Sequence, residues 1–400
     1  MGLDTVMGVW ISHSIFIPIP VNSWHFFMEV LMADRDICAF GNIITRIINR
    51  EDLSKEETFD AFSTILKNQT SELQQGAFLS ALKAKGETSE EIAGCWEAVF
   101  KHDTVKVTPR VNGPLIENCG TGMDSFKTFN ISTAAAVVAA AHEGLYLARH
   151  GARAITSICG TVDIAEALGV DVECDASVVS TSIEQCGLGL FNGMSPKVHP
   201  GALGRILSQI AFGSTLNIAA SLASPVKADI GIRGVYTKAM ILPVIQTMKM
   251  IGYKKALVFT GAIDGMPNEM DEASVCGETS CAELDNDGTI TEFTFRPEDV
   301  GLTTHKPVAL IQGNNLNEEA RNFIELLHNK GVKAREDAVL LNAACIFYAA
   351  SEVASIKDGV DMALKIVRTD KAFEKLQQWV KCQNVSPVKG MEKMNHLLAG

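Results

Sequence analysis

At about Val105 the chain changes its periodicity, and that change limits the folds open to it. Before it, apolar residues recur at helical spacing: Ile43, Ile44, Ile47 and Ile48, then Phe59, Phe62, Ile65 and Leu66. Ser54 with Glu57, and Thr88 with Glu91, have the spacing of capping boxes. A helix is predicted over 72–85, ended by Gly86. After Val105, short apolar runs such as ALVFT at 256–260 and PVALI at 307–311 alternate with alanine-rich helical stretches. Parallel strands joined by crossover helices suit that alternation. The expected class is α/β, with a small all-helical unit before a larger α/β unit built on a central, mostly parallel sheet.

Ligands of such sheets bind beyond the carboxyl ends of the strands. One predicted strand end carries Gly120, Thr121 and Gly122, then Asp124, then Thr128, Asn130, Ser132 and Thr133 at the start of the run AAAVVAAA. Glycines let backbone amides approach an anion, and a helix N-terminus favours negative charge. Hydroxyls there donate to phosphate oxygens or help to hold a cation. The segment reads as a phosphate or pyrophosphate cradle; an ordinary βα loop with a Ser/Thr cap is the alternative. Neither the P-loop pattern nor the G-x-G-x-x-G dinucleotide pattern is present.

Two further clusters share this character. Arg149, His150 and Arg153 surround a turn at Gly151, with Ser157 and Thr161 ahead of a short helix. Arginine suits phosphate or carboxylate, though a solvated surface turn would look the same. After ALVFT, the loop 261–279 gathers Asp264, Glu269, Asp271 and Glu272. It is either a solvated acidic loop or a Mg²⁺ site, since Mg²⁺ takes one or two carboxylates plus substrate phosphates. Cradle and acidic loop together point to a metal-pyrophosphate substrate.

A net charge of −12 opposes a nucleic-acid surface. The ten cysteines form no C-x-x-C and no zinc spacing, as expected of reduced thiols in a cytoplasmic protein. The apolar stretch within residues 1–35 is broken by polar residues and prolines and carries no basic residue ahead of it. It is expected to be neither a membrane span nor a secretory signal, but an extension outside the fold.

Longer motifs carry a resemblance. QQGAFLSALKAKGETSEEIAG, the segment Gly120–Thr133, Arg149–Ser157 and Met270–Ser274 are similar, in order, to Q-x-x-A-F-L-x-A-L-x-x-K-G-E-T, G-T-G-G-D-x-x-x-T-F-N-I-S-T, K-H-G-N-R-x-x-S-S and L-D-E-I-S of the anthranilate phosphoribosyltransferase family. Thymidine and pyrimidine-nucleoside phosphorylases belong to the same group. The likeness runs over nearly all of 40–385. It implies a helical dimerisation domain at 36–105 with a second piece at about 196–222, an α/β phosphoribosyl-binding domain at 106–195 and 223–385, and a tail at 386–400. It implies a homodimer, phosphoribosyl pyrophosphate (PRPP) as donor, Mg²⁺ as cofactor and, as acceptor, anthranilate of tryptophan biosynthesis or a related small aromatic or heterocyclic amine, with no nucleic-acid or membrane partner. PRPP contacts are then expected at Gly120, Asp124, Thr128, Asn130, Ser132, Thr133, Arg149, Ser157 and Thr161. Ser132, Asp271 and Glu272 are expected at the metal, and His150, Arg153 and Arg205 on the acceptor side. No catalytic acid or base is assigned, because amine attack on C1′ with loss of pyrophosphate requires none.

The departures fall mostly in the acceptor half. Met123 replaces a loop glycine, Arg149 a lysine and Ala152 the asparagine of K-H-G-N-R. The family's R-x-x-L-G-x-R-T-x-F-N becomes LSQIAFGSTLN, without either arginine, and G-P-L-x-N-P becomes ASLASP. Two other readings stay open. A nucleoside phosphorylase would use the cradle for inorganic phosphate, although its K-H-S-T-G-G-V-G-D motif is absent. A non-catalytic nucleic-acid-binding paralogue would need a basic groove.

Overall fold

The computed structural model describes residues 37–122, 126–154 and 158–399, and the backbone of 7–12 and 15–19. Met123, Asp124, Ser125, Ile155, Thr156 and Ser157 lie outside the described residues, and so does most of the N-terminal segment. Strands β1 (Met7–Ser12) and β2 (Ile15–Ile19) pair with each other in a separate two-stranded sheet.

Four helices follow: α1 (37–48), α2 (Lys55–Leu66), α3 (Glu72–Lys85) and α4 (Ser89–His102). Ser54 Oγ accepts from the Glu57 amide, and the Glu57 carboxylate accepts from the Ser54 amide. Thr88 and Glu91 do the same for α4. The Glu91 carboxylate also takes the Leu53 amide and pairs with Lys85 at 3.0 Å, which ties α2, α3 and α4 together. Phe62, Phe78, Leu79 and Leu82 are fully buried at the centre of this bundle.

The α/β part begins with β3 (Leu115–Gly120), α5 (Ile131–Ala140), β4 (Tyr146–Gly151), α6 (Thr161–Ala167), α7 (Ala176–Cys186) and β5 (Leu188–Asn192). The chain then returns to the bundle. Helices α8 (Ala202–Ile210) and α9 (Thr215–Leu222) insert Leu203, Ile206, Leu216 and Ala219 into its core. Next come β6 (Ile230–Gly234), α10 (Ile241–Ile251), β7 (Lys255–Ala262), β8 (Glu269–Met270), β9 (Thr279–Leu284) and β10 (Ile290–Phe295). Helices α11 (Leu316–Leu327), α12 (Lys333–Ala349), α13 (Ile356–Arg368), α14 (Lys371–Cys382) and α15 (Pro387–Ala399) complete the described chain.

The large sheet has the order β10-β9-β7-β6-β3-β4-β5, with β8 against β7. Strands β3 to β7 are parallel, and β8, β9 and β10 run antiparallel to their neighbours. The chain moves outward from β3 through β4 to β5, then crosses to the other side of β3 for β6 and β7. That reversal opens a crevice at the carboxyl ends of β3 and β6, where α/β sheets take their ligands. Helix α5 is buried on every side: its alanines and valines pack between the sheet and the equally buried α12.

Two expectations fail. PVALI is not a strand: Pro307–Leu310 form a 3-10 turn, with Ile311 in an isolated bridge to Thr128. Pro307 has no amide proton for a ladder. Residues 387–399, expected as a tail, form α15, whose Met394 is fully buried and whose Gly390 packs on the Gly169 carbonyl. No helix among the described residues is long and apolar enough to cross a membrane.

Candidate active site

A cavity of about 310 Å³ opens at the crevice beyond β3, between the sheet and α8–α9. Gly120, Gly122, Lys127, Thr128, Asn130 and Ser132 line one end, with Asp271 and Glu272. Gly122 adopts a φ of 68°, a conformation that favours glycine. A side chain at Gly120 would place its Cβ 2.3 Å from Asp271 Oδ2, so glycine there lets the carboxylate lie against the β3 backbone. The Gly122 amide donates to that oxygen at 2.7 Å. Asp271 and Gly120 are far apart in sequence and meet because the chain just after β8 packs against both Gly234 at the end of β6 and Gly120 at the end of β3.

Helix α5 is not capped by a side chain. Asn130 holds the N-cap position but makes no cap bond; its Nδ2 donates instead to the Cys159 carbonyl at 3.3 Å. The Ile131 amide donates to the Phe129 carbonyl, but no side chain caps the next amides of α5, and the helix dipole favours an anion there. Gln312 closes the same corner, donating to the Cys159 carbonyl and accepting from the Ile158 amide. It was not foreseen, because only the 3-10 turn at Pro307–Leu310 brings it to the cavity.

Asp271 and Glu272 are adjacent and nearly buried, at 7% and 8% exposed. Burial raises the Asp271 pKa; the Gly122 amide and the charge of Lys127 act against that rise. Thr128 Oγ1 donates to Glu272 Oε2 at 3.5 Å. Two neighbouring buried carboxylates repel unless a cation bridges them. They form no cluster of three metal-ligating residues among those described. A pair suits Mg²⁺, which completes its octahedron with substrate oxygens and water. The donor set therefore fits the ion.

Arg149 and Thr133 do not reach the cavity wall. Arg149 is 1% exposed and lies behind the wall, where Nε donates to the Asn118 carbonyl at 3.3 Å and Nη2 to Ser132 Oγ at 3.1 Å. Burial pulls its guanidinium down to about 10, and Nη1 has no partner. Thr133 is buried with its hydroxyl unpaired. Both support Ser132 and β3 from beneath. Below them, fully buried Arg233 pairs with Glu117 at 3.0 Å, and the Tyr253 hydroxyl donates to the same carboxylate. This network joins β3 to β6.

The other end of the cavity is apolar. Met194, Leu203, Leu207, Ala220 and Ala152 line it, with His150, Asn217 and Ser221. Leu207 and Ala220 stand within the two segments that depart from the family motifs. Arg205, expected on the acceptor side, points away: its guanidinium donates to Gln75 Oε1 and the Ile65 carbonyl, both at 3.1 Å. It lies about half a turn from Leu203 and Leu207, which border both the cavity and the bundle core. Arg153 lines the cavity but pairs with Asp163, Glu166 and Glu173 at 3.2, 2.7 and 2.9 Å, and their hydrogen bonds raise its pKa. Thr161 and His150 also line the cavity. Asp124 and Ser157 lie outside the described residues.

His150 shares a hydrogen bond with His199, Nε2 to Nε2 at 3.2 Å, while His199 Nδ1 lies 2.7 Å from the Asp103 carbonyl. That carbonyl only accepts, so His199 carries its proton on Nδ1 and His150 donates from Nε2. A second proton on His150 would sit on Nδ1, which is buried without a partner. Burial, then His199 and Arg233, hold His150 well below the usual imidazole range. Its ring is neutral at pH 7.

Comparison with known proteins agrees with this architecture. The model of the glycosyl transferase family a/b domain matches residues 112–373, and that of the family's helical bundle domain matches 42–102. The anthranilate phosphoribosyltransferase of Methanococcoides burtonii is 36% identical over 341 residues, covering 84% of this chain and 92% of that protein. That of Persephonella marina is 34% identical over 338 residues, covering 84% and 96%. The crystal structure of the Thermus thermophilus anthranilate phosphoribosyltransferase superposes with a TM-score of 0.76 at 30% identity, covering 85% of this chain and 98% of that one. The Saccharomyces cerevisiae enzyme, in complex with PRPP and Mg, has the same fold at 22% identity, with a TM-score of 0.75 and coverage of 86% and 98%. With its helical bundle, its α/β domain and the contact between the β3 glycine turn and the Asp271 carboxylate, the chain belongs to the anthranilate phosphoribosyltransferase family of glycosyl transferases.

Proposed function

We propose that the cavity transfers the phosphoribosyl group of PRPP to the nitrogen of an aromatic amine. The observation that carries this reading is the buried pair Asp271–Glu272, held against the glycine turn of β3 and the uncapped start of α5. Anthranilate is the acceptor in the names of the relatives, and PRPP and Mg occupy the yeast structure. The chain is accordingly a pentosyltransferase.

Each part of the cavity then has a task. Gly120 and Gly122 keep side chains out of the way, so Asp271 can lie against the turn and the pyrophosphate can come close to it. The opening amides of α5, with Ser132 and Thr128, bind its oxygens. Asp271, Glu272 and Ser132 would hold Mg²⁺, which offsets charge on the leaving pyrophosphate when bound. Lys127 adds positive charge at the same end. The apolar wall on α8 and α9 holds the acceptor ring and keeps water from C1′, favouring attack by the amine. The neutral His150 neither adds charge nor is needed as a base.

A homodimer through the helical domain is part of the proposal. Ile37, Ile48 and Leu73 are exposed on α1 and α3, a cost that burial by a second copy would remove. A cytoplasmic location is supported by the ten cysteines, none in a disulfide.

The test is thermal shift followed by turnover. PRPP with MgCl₂ is expected to raise Tm, whereas ribose 1-phosphate and DNA are not. Pyrophosphate release is expected with an aromatic amine and not without one. Absence of a PRPP shift would remove the proposal.

A further inference from the structure

We infer that the acceptor is an aromatic or heteroaromatic amine carrying no negative charge, because the end of the cavity that holds its ring offers no cation to balance one. The inference rests on the phosphoribosyl-transfer reading and narrows its substrate class.

Among the described residues, every basic group near the cavity is accounted for. Arg153 is engaged by three carboxylates. Arg205 is turned into the bundle, on Gln75 and the Ile65 carbonyl. Arg149 is sealed behind Ser132. Lys127 acts on Asp271, at the donor end. His150 donates from Nε2 to His199, and burial, then His199 and Arg233, hold its ring well below the usual imidazole range against the opposing pull of the Ser221 backbone. The undescribed positions 123–125 and 155–157 add no cation, since they are Met, Asp, Ser, Ile, Thr and Ser.

What faces the ring is Leu203 and Leu207 from α8, Ala220 from α9, Met194 and Ala152. The polar groups beside them, Asn217 and Ser221, carry no charge. Asn217 Oδ1 accepts from Ser214, and Ser221 Oγ donates to the Ile218 carbonyl. A carboxylate on the ring would leave water for this surface without a counter-charge, which is strongly unfavourable. A neutral substituent loses far less. The asymmetry also suits the chemistry. The amine nitrogen forms the N–C1′ bond, the C1′–O bond breaks with its electron pair going to pyrophosphate, and the amine proton is released to solvent. Negative charge gathers at the donor end, where Lys127 and the metal-binding pair lie, and none need form at the ring end.

The test compares anthranilate with 2-aminobenzamide, its neutral counterpart, as acceptors at saturating PRPP and MgCl₂, read as pyrophosphate release. The kcat/KM for 2-aminobenzamide is expected to exceed that for anthranilate by about tenfold or more. Equal or better use of anthranilate overturns the inference, and so does turnover of neither while PRPP still raises Tm. Loss of the PRPP shift itself would instead sink the wider reading. Leu207→Arg supplies the missing cation and is expected to move the ratio toward anthranilate by about tenfold. Leu207→Met, which adds no charge, is expected to leave it in place. PRPP shifts in both variants report an intact donor end, and an unmoved ratio in Leu207→Arg with that shift present also overturns the inference.

Discussion

The Asp271 carboxylate occupies the space that a side chain at position 120 would need. Gly120→Ala is therefore expected to push Asp271 off the Gly122 amide. A displaced carboxylate holds the metal badly, so kcat/KM for PRPP should fall about 100-fold or more. Asp271→Asn, which keeps the oxygen that accepts from Gly122, should preserve the fold but lose the response to MgCl₂. Steady-state pyrophosphate release against Mg²⁺ concentration checks both. Near-normal Mg²⁺ dependence in Asp271→Asn would show that the ion lies elsewhere.

The pair Arg233–Glu117 is fully buried, and the Tyr253 hydroxyl is the other partner of the carboxylate. Removing the cation leaves a charge in the core. Arg233→Met should cost about 3–5 kcal/mol of stability. Urea unfolding followed by far-UV circular dichroism measures it; a loss under about 1 kcal/mol would mean that Tyr253 alone satisfies Glu117.

Ala211 ends α8 in a left-handed conformation, with φ 48° and ψ 28°. A Cβ there is strained, and glycine is the usual residue. Ala211→Gly is expected to stabilise the protein by about 0.5–1 kcal/mol. A lower Tm for the variant would contradict the assignment.

Burial holds both His150 and His199 below the usual imidazole range, and for His150 the neighbouring His199 and Arg233 add to it. In the unfolded chain both titrate near about pH 6.5. Between the folded and unfolded values the unfolded state binds more protons, so stability falls as pH drops through about 6.5 and is greatest above it. The urea midpoint should decrease from about pH 7.5 to about pH 5.5. His150→Gln should flatten that slope, and an unchanged slope would remove His150 from the account.

Local features were legible in the sequence because neighbours in the chain decide them. The pairs Ser54–Glu57 and Thr88–Glu91 form the caps that their spacing implies, and Gly86 ends α3. The glycine turn and the hydroxyls of Thr128 and Ser132 do line the cavity. Depth was not legible. Arg149 and Thr133 lie in motifs full of ligand-like residues, yet neither reaches the cavity wall, and nothing in their spacing distinguishes them from Ser132. Arg205 was misplaced because two positions along a helix, roughly half a turn, separate it from Leu203 and Leu207 at the cavity. Gln312 and the buried face of α15 depend on long-range packing, with Pro307 turning what looked like a strand into a 3-10 bend.

Helices α8 and α9 pack into the bundle core and also form the apolar wall of the cavity, with Leu203, Leu207 and Ala220 belonging to both. The donor machinery sits on the sheet, in separate stretches of chain. Substitutions on that wall can thus alter which amine is accepted without disturbing β3, β8 or the start of α5. A lineage carrying this architecture can explore new acceptors by changing a few side chains on two short helices while the leaving-group chemistry is inherited intact.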